Sequence, residues 1–127
     1  MAILILDEPE ELEQLQRMIA RANSASVQTT ARAKRRDDPE LKVITKLNKK
    51  LSTTTLHQPI DLSRTEVRFI QELFILATKT ILDTVIPNYK KRIKDGGEVN
   101  GLVAYIQAAE VRVKTYKKIL DKLNSVL

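Results

Sequence analysis

Cysteine and tryptophan are missing from this 127-residue chain, histidine occurs once and glycine three times. Without cysteine there is no disulfide framework, no thiolate metal site and no cysteine nucleophile. The single histidine, His57, stands in a Thr-rich stretch with no Glu-x-x-His or His-x-x-x-His spacing. It reads as an ordinary linker residue rather than a metal ligand or a general base. All three glycines fall between Gly96 and Gly101, and the prolines are only Pro9, Pro39, Pro59 and Pro87; punctuation this sparse favours helices over a many-turned β fold. Gly96-Gly97 lacks the Gly-Lys-Ser/Thr of a phosphate loop and follows a helical pattern, so it reads as a turn. Aromatic residues are few, and Phe69, Phe74 and Tyr116 lie on or beside apolar seams. Little is left to stack on bases.

Long uncharged runs are also lacking. The longest apolar stretch, Phe69 to Ile86, is broken by Glu72, Lys79 and Asp83, whereas a membrane span needs about 20 mostly uncharged residues. It reads as a buried helix. The apolar start, Ala2 to Leu6, is too short for a signal sequence and runs into Asp7 and Glu8. The expectation is a cytoplasmic protein, or one incorporated into an assembly formed there, with no membrane contact. A chain of this length makes a single domain whose core covers roughly two-thirds of the unfolded surface.

Charge is plentiful but uneven. Residues 1–16 carry a net −5, from Asp7, Glu8, Glu10, Glu11 and Glu13, and the remainder carries +11. An acidic head and a basic body attract each other within one molecule or between neighbours. The acidic run lacks the Asp-x-Asp-x-Asp-Gly pattern of a calcium loop and reads instead as carboxylates at the positive end of a helix that begins at Pro9.

That first helix is expected over about 9–22, and a second, after Asp38-Pro39-Glu40, over about 39–51 with Leu41, Ile44, Leu47 and Leu51 at helical spacing. Between them, residues 23–37 keep a heptad spacing while the seam turns polar after Ala22. Both a solvated helical arm and an extended linker fit, and the linker is the reading adopted. Ser52 to Gln58, with three consecutive threonines, reads as a second linker.

The C-terminal half is the most legible. Ser63 and Glu66 have the spacing of a capping box and Leu62 and Val67 that of a hydrophobic staple, so a helix should start at Arg64. Its apolar positions keep a heptad rhythm to Pro87, which must kink or interrupt it. Tyr89 to Lys94 complete the helix, and Asp95-Gly96-Gly97 stop it. From Val99 through Leu102, Ile106, Ala109, Val113, Tyr116, Leu120, Leu123 and Leu127 the apolar spacing alternates three and four without a miss. Two long helices joined by so short a turn fold back antiparallel, which places Val67 near Leu127, Ile70 near Leu123, Phe74 near Leu120, Ala77 near Tyr116 and Val85 near Ala109. The fold class read from the sequence is all-α: a long, coiled-coil-like antiparallel hairpin over 63–127, with two shorter helices and polar linkers in an N-terminal arm over 1–62.

The helix containing Phe69 to Ile86 is apolar around more of its circumference than one partner covers. This nominates Phe69, Ile75, Leu76, Leu82 and Ile86, with Ile3, Leu4 and Ile5 of the apolar start, as docking residues for a protein partner or a second copy of the chain. The basic runs nominate a second set. Arg32, Lys34, Arg35 and Arg36 precede Lys42, Lys46, Lys49 and Lys50; Lys90, Lys91, Arg92 and Lys94 sit at the hairpin tip; Arg112, Lys114, Lys117, Lys118 and Lys122 line the last helix. The first two clusters are candidates for contact with nucleic acid or an acidic partner, indifferent to base sequence, and the third reads as an ordinary charged outer face. No nucleophile elbow, cofactor motif or metal-ligand set is present.

The function expected is therefore a non-catalytic helical interaction subunit, with no cofactor, no metal and no small-molecule substrate. Its plan is one met in accessory subunits of viral particles and nucleoprotein machines, by analogy alone. The alternative is a sequence-independent nucleic-acid-binding accessory protein for packaging, recombination or replication. A small helical enzyme working with Arg, Lys and Glu is the third reading, and it requires a pocket where such groups converge.

Overall fold

In a computed structural model the backbone of residues 2–33, 39–96 and 99–126 is described, with the side chains of 2–25, 42–96 and 101–126. The elements run β1 (Ala2–Leu4), α1 (Pro9–Ala33), α2 (Pro39–Ser52), β2 (Ile60–Leu62), α3 (Arg64–Thr80), a π-helical turn (Ile81–Val85), α4 (Ile86–Lys94) and α5 (Val99–Val126). The fold is all-α apart from one short two-stranded ribbon.

Most helix boundaries follow from local chemistry. Pro9 and Pro39 occupy the first position of α1 and α2, where the missing N–H has no helical acceptor to lose. At α3 the Ser63 Oγ accepts from the Glu66 N–H at 3.1 Å, while the Ser63 N–H donates to the Glu66 carboxylate at 2.9 Å. The capping box is complete. Leu62 and Val67, which flank it, are both fully buried. Before Pro87 the helix loosens into the π-turn, whose end is marked by an Ile86 N–H donating to the Ile81 carbonyl; α4 then starts with the proline in its first turn. The interruption expected from Pro87 thus takes the form of a widened turn, which absorbs the lost donor without ending the helix. Gly96 closes α4 at φ +88°, a left-handed conformation that costs glycine little.

Three features depart from the sequence reading. First, α1 does not stop near residue 22 but continues to Ala33, which replaces the first part of the expected linker by helix. No Gly or Pro interrupts residues 10–38, and Ala, Gln and Arg are good helix formers even where the seam is polar. Second, β1 and β2 pair antiparallel, with Ala2 opposite Leu62, Ile3 opposite Asp61 and Leu4 opposite Ile60. Third, the second linker is tied down. The His57 N–H donates to the Leu6 carbonyl at 3.0 Å, and His57 takes φ +65°, a region in which histidine is several-fold enriched.

α3, the π-turn and α4 run antiparallel to α5. Phe74 meets Tyr116 edge-to-face with ring centroids 5.1 Å apart, Tyr89 stacks on Tyr105 at 5.6 Å, and Gln71 donates to Asn124 at 2.7 Å. The hairpin register is as expected to within a turn: Phe74 meets Tyr116, one turn before the expected Leu120. Val67 opposite Leu127 lies outside the described residues. α1 runs antiparallel to α2, with Gln16 Nε2 donating to the Leu51 carbonyl and Thr45 to Asn23, and packs also on α5. One hydrophobic core joins both halves: Leu4, Leu6, Leu15, Ile19, Leu47 and Leu51 are buried with Phe74, Ile119 and Leu123. Ile119, off the heptad seam read from the sequence, is completely buried.

Candidate functional site

The acidic head closes on the last helix of the same molecule. Glu8 accepts from Lys118 at 3.1 Å, and Lys122 reaches Asp7 at 3.1 Å and Glu11 at 2.8 Å. Glu11 is almost wholly buried; the nearer of its oxygens lies outside hydrogen-bonding geometry, so that contact is chiefly Coulombic, and the other accepts from Lys122 at 3.1 Å. Burial works against the Lys122 ammonium, but bonds and charge from Glu11 and Asp7 outweigh it and raise its pKa above the ordinary lysine value. Two cations of the α5 cluster are therefore internal ties, in keeping with the structural reading of that cluster.

Lys50 is likewise engaged. It donates to the Asp61 carbonyl at 2.6 Å and to both oxygens of Glu66 at 3.1 and 3.3 Å. Glu66 is buried, which opposes ionisation, but the Ser63 N–H, Lys50 and the Ser63 hydroxyl together hold its carboxyl below the ordinary value. Lys50, nominated as a nucleic-acid contact, is half-buried and already bonded to Glu66, so a phosphate would have to compete with that carboxylate for it. A polar hollow of about 460 Å³ lies here between Lys46, Lys50, Ser63 and Glu66. Its strongest donors and acceptors bond one another.

Lys42, Lys46 and Lys49 are exposed along one face of α2, with no ion pair among the described residues. Lys90, Lys91, Arg92 and Lys94 are exposed at the hairpin tip, where Arg92 lies 5.9 Å from the Tyr89 ring centre and the stacked Tyr105 is 61% exposed. Arg32 lies on α1, but its side chain, like Lys34, Arg35 and Arg36, falls outside the described residues.

The apolar nominations divide. Ile75, Leu76 and Leu82 are 57%, 64% and 45% exposed, even with every helix of the chain in place. Phe69 is half-buried against the core. Ile86 is buried and is withdrawn as a docking residue, because the π-turn rotates it inward. Leu4 is withdrawn too: strand alternation turns Ala2, Leu4 and Leu6 into the core and leaves Ile3 and Ile5 exposed. Every residue from Ala2 to Leu6 is apolar, so the alternation leaves no trace in the sequence.

One feature was not anticipated, a groove of about 350 Å³ where α1, α3 and α5 meet, floored by Met18, Leu73, Ala77, Ile81 and Tyr116 and flanked by Arg21 and Arg112. Its residues come from three distant stretches, and only the relative placement of α1 and the hairpin assembles them. Among the described residues no cluster of Asp, Glu and His has the makings of a metal cage, and no helix is long and apolar enough to cross a membrane. Comparison with family models, with curated proteins and with solved structures finds no match.

Proposed function

We propose that this chain is a non-catalytic helical interaction subunit of a larger assembly, which docks through apolar surface that its own fold leaves uncovered. The observation that carries the reading is the exposure of Ile75 and Leu76 on α3 and of Leu82 in the π-turn that continues it. Val67, Ile70 and Phe74 of α3 are buried in the core of the chain itself, whereas the exposed apolar surface is available to another molecule. The internal engagement of Asp7, Glu8, Glu11 and Lys122 leaves the net positive charge of the body largely unneutralised at α2 and at the hairpin tip. A cytoplasmic assembly containing nucleic acid, a viral particle among them, suits that distribution.

A second reading, phosphate contact indifferent to base sequence, is favoured by the exposure of Lys90, Lys91 and Arg92 beside the stacked Tyr89 and Tyr105. One purification tests both. The tagged chain and an Ile75→Glu/Leu82→Glu variant are isolated from the native source, with and without nuclease. A companion chain held at fixed stoichiometry by the wild type and lost from the variant is the expected result. Association that survives the variant but vanishes with nuclease gives first place to the phosphate reading, and a solitary chain in every arm overturns both.

A further inference from the structure

We propose that the groove between α1, α3 and α5 receives an acidic amphipathic helix of a partner protein. This deepens the interaction reading and rests on it. The floor is apolar and contributed by four elements: Met18 from α1, Leu73 and Ala77 from α3, Ile81 at the start of the π-turn, and Tyr116 from α5. Met18 and Leu73 are half-buried, and Leu76 stands 64% exposed at the lip. Such a trough takes the apolar side chains of a helix at positions i, i+3 or i+4, and i+7.

The rims decide which helix. The charged residues that line the groove are Arg21 on one side and Arg112 on the other, with no carboxylate among the lining residues. Neither arginine has an ion-pair partner among the described residues, although Arg17, one turn earlier on α1, is paired with Glu13, and Lys118 and Lys122, farther along α5, are paired with Glu8, Asp7 and Glu11. Guanidinium groups on both banks suit carboxylates, which they bind in bidentate fashion. A phosphate backbone matches the rims but gains nothing from the apolar floor. A second copy of this chain is a poor source of the ligand. Of its own acidic run, Asp7, Glu8, Glu11 and Glu13 are engaged within the molecule.

The test uses the full chain and labelled synthetic peptides of about 18 residues, five helical turns. One carries Leu at i, i+4 and i+7 with Glu flanking, the second has the same Leu with Lys for Glu, and the third the same Glu with Ser for Leu. Fluorescence anisotropy is read for the wild type, Leu76→Ser and Arg112→Glu. The first peptide should bind at least about tenfold more tightly than the other two, and each substitution should weaken it by about tenfold or more. Arg112→Glu should in turn improve binding of the Lys peptide.

Equal binding of the Glu and Lys peptides, or binding indifferent to Leu76→Ser, overturns the proposal. Amide shifts mapped at Ile3 and Ile5, or at Ile75 and Leu82, instead of at Met18 and Leu73 overturn the groove and leave the interaction reading standing. A concentration-dependent dimer that Leu76→Ser abolishes assigns the groove to a second copy and overturns the acidic partner. A chain that binds no peptide and shows no companion in the purification removes both.

Discussion

At the scale of single residues, Glu66 joins three parts of the fold: its carboxylate completes the cap of α3 through the Ser63 N–H and accepts from Lys50 of α2, whose ammonium also reaches the Asp61 carbonyl on β2. Its carboxyl has a pKa below the ordinary 4.5. The stability it contributes is therefore fully present above about pH 4.5, the unfolded value, and is lost as pH falls through the lower folded value. Glu66→Gln keeps the shape and removes the charge, leaving Lys50 half-buried without its partner. It should cost about 1–3 kcal/mol at neutral pH, and the gap between wild type and variant should narrow below about pH 4.5. Urea melts at pH 7 and pH 3.5 check this; a gap that stays constant removes the charge from the account. Lys122 behaves in the opposite sense. Its raised pKa keeps its contribution below the ordinary lysine value and releases it only as pH rises beyond that.

Both ends of the Glu66 arrangement had a signal in the sequence, but of different strength. The capping box needs only residues 63–66 and a three-residue spacing, so it was legible. In the sequence Lys50 reads, with Lys49, as one of a basic run available to nucleic acid or an acidic partner, because nothing local distinguishes the two. What separates them is the return of β2 beside α2, a contact made through tertiary folding.

Among the elements, the β1–β2 ribbon shows how three-residue strands escape detection. Strand periodicity is the alternation of apolar and polar residues, and the run from Ala2 to Leu6 is apolar throughout. Its partner lies almost sixty residues away, and Ile60-Asp61-Leu62 is too short to stand out. Yet pairing divides the run sharply, with Leu4 buried at 1% exposure and Ile3 exposed at 56%. Leu4→Ala should cost about 2–5 kcal/mol, and Ile3→Ala should stay within about 0.5 kcal/mol. Chemical denaturation measures both; similar costs at the two positions would contradict the register. The other miss, the extension of α1, has a different cause. The seam after Ala22 is polar, and an apolar criterion ends the helix there, whereas the backbone needs only residues with adequate propensity and no breaker. By contrast, Pro9, Pro39, Pro87 and Gly96 act through local backbone geometry, and each boundary they mark was readable.

For the whole molecule, the hairpin was legible because its register follows from a turn and two heptad patterns. The way the N-terminal half lies on it was not, since that depends on contacts between residues far apart in sequence. Charge bookkeeping indicated attraction between head and body without saying which lysines would answer it. The same gap hid the groove: Arg21 and Arg112 look like unremarkable surface arginines until α1 is laid beside α5.

The bond from Lys118 to Glu8 spans 110 positions of the sequence. Closing a loop of that length costs chain entropy of about 4 kcal/mol, whereas only a few residues separate the paired helices of each hairpin in sequence. Time therefore orders what space unites. The α1–α2 and α3–α5 hairpins are expected to assemble early, and the acidic turn to seat on α5 late, after the rate-limiting barrier. Glu8→Gln and Lys118→Met should then quicken unfolding while leaving the refolding rate nearly unchanged, a separation that stopped-flow fluorescence of the tyrosines resolves. A slowed refolding rate would instead place the clamp among the first contacts made.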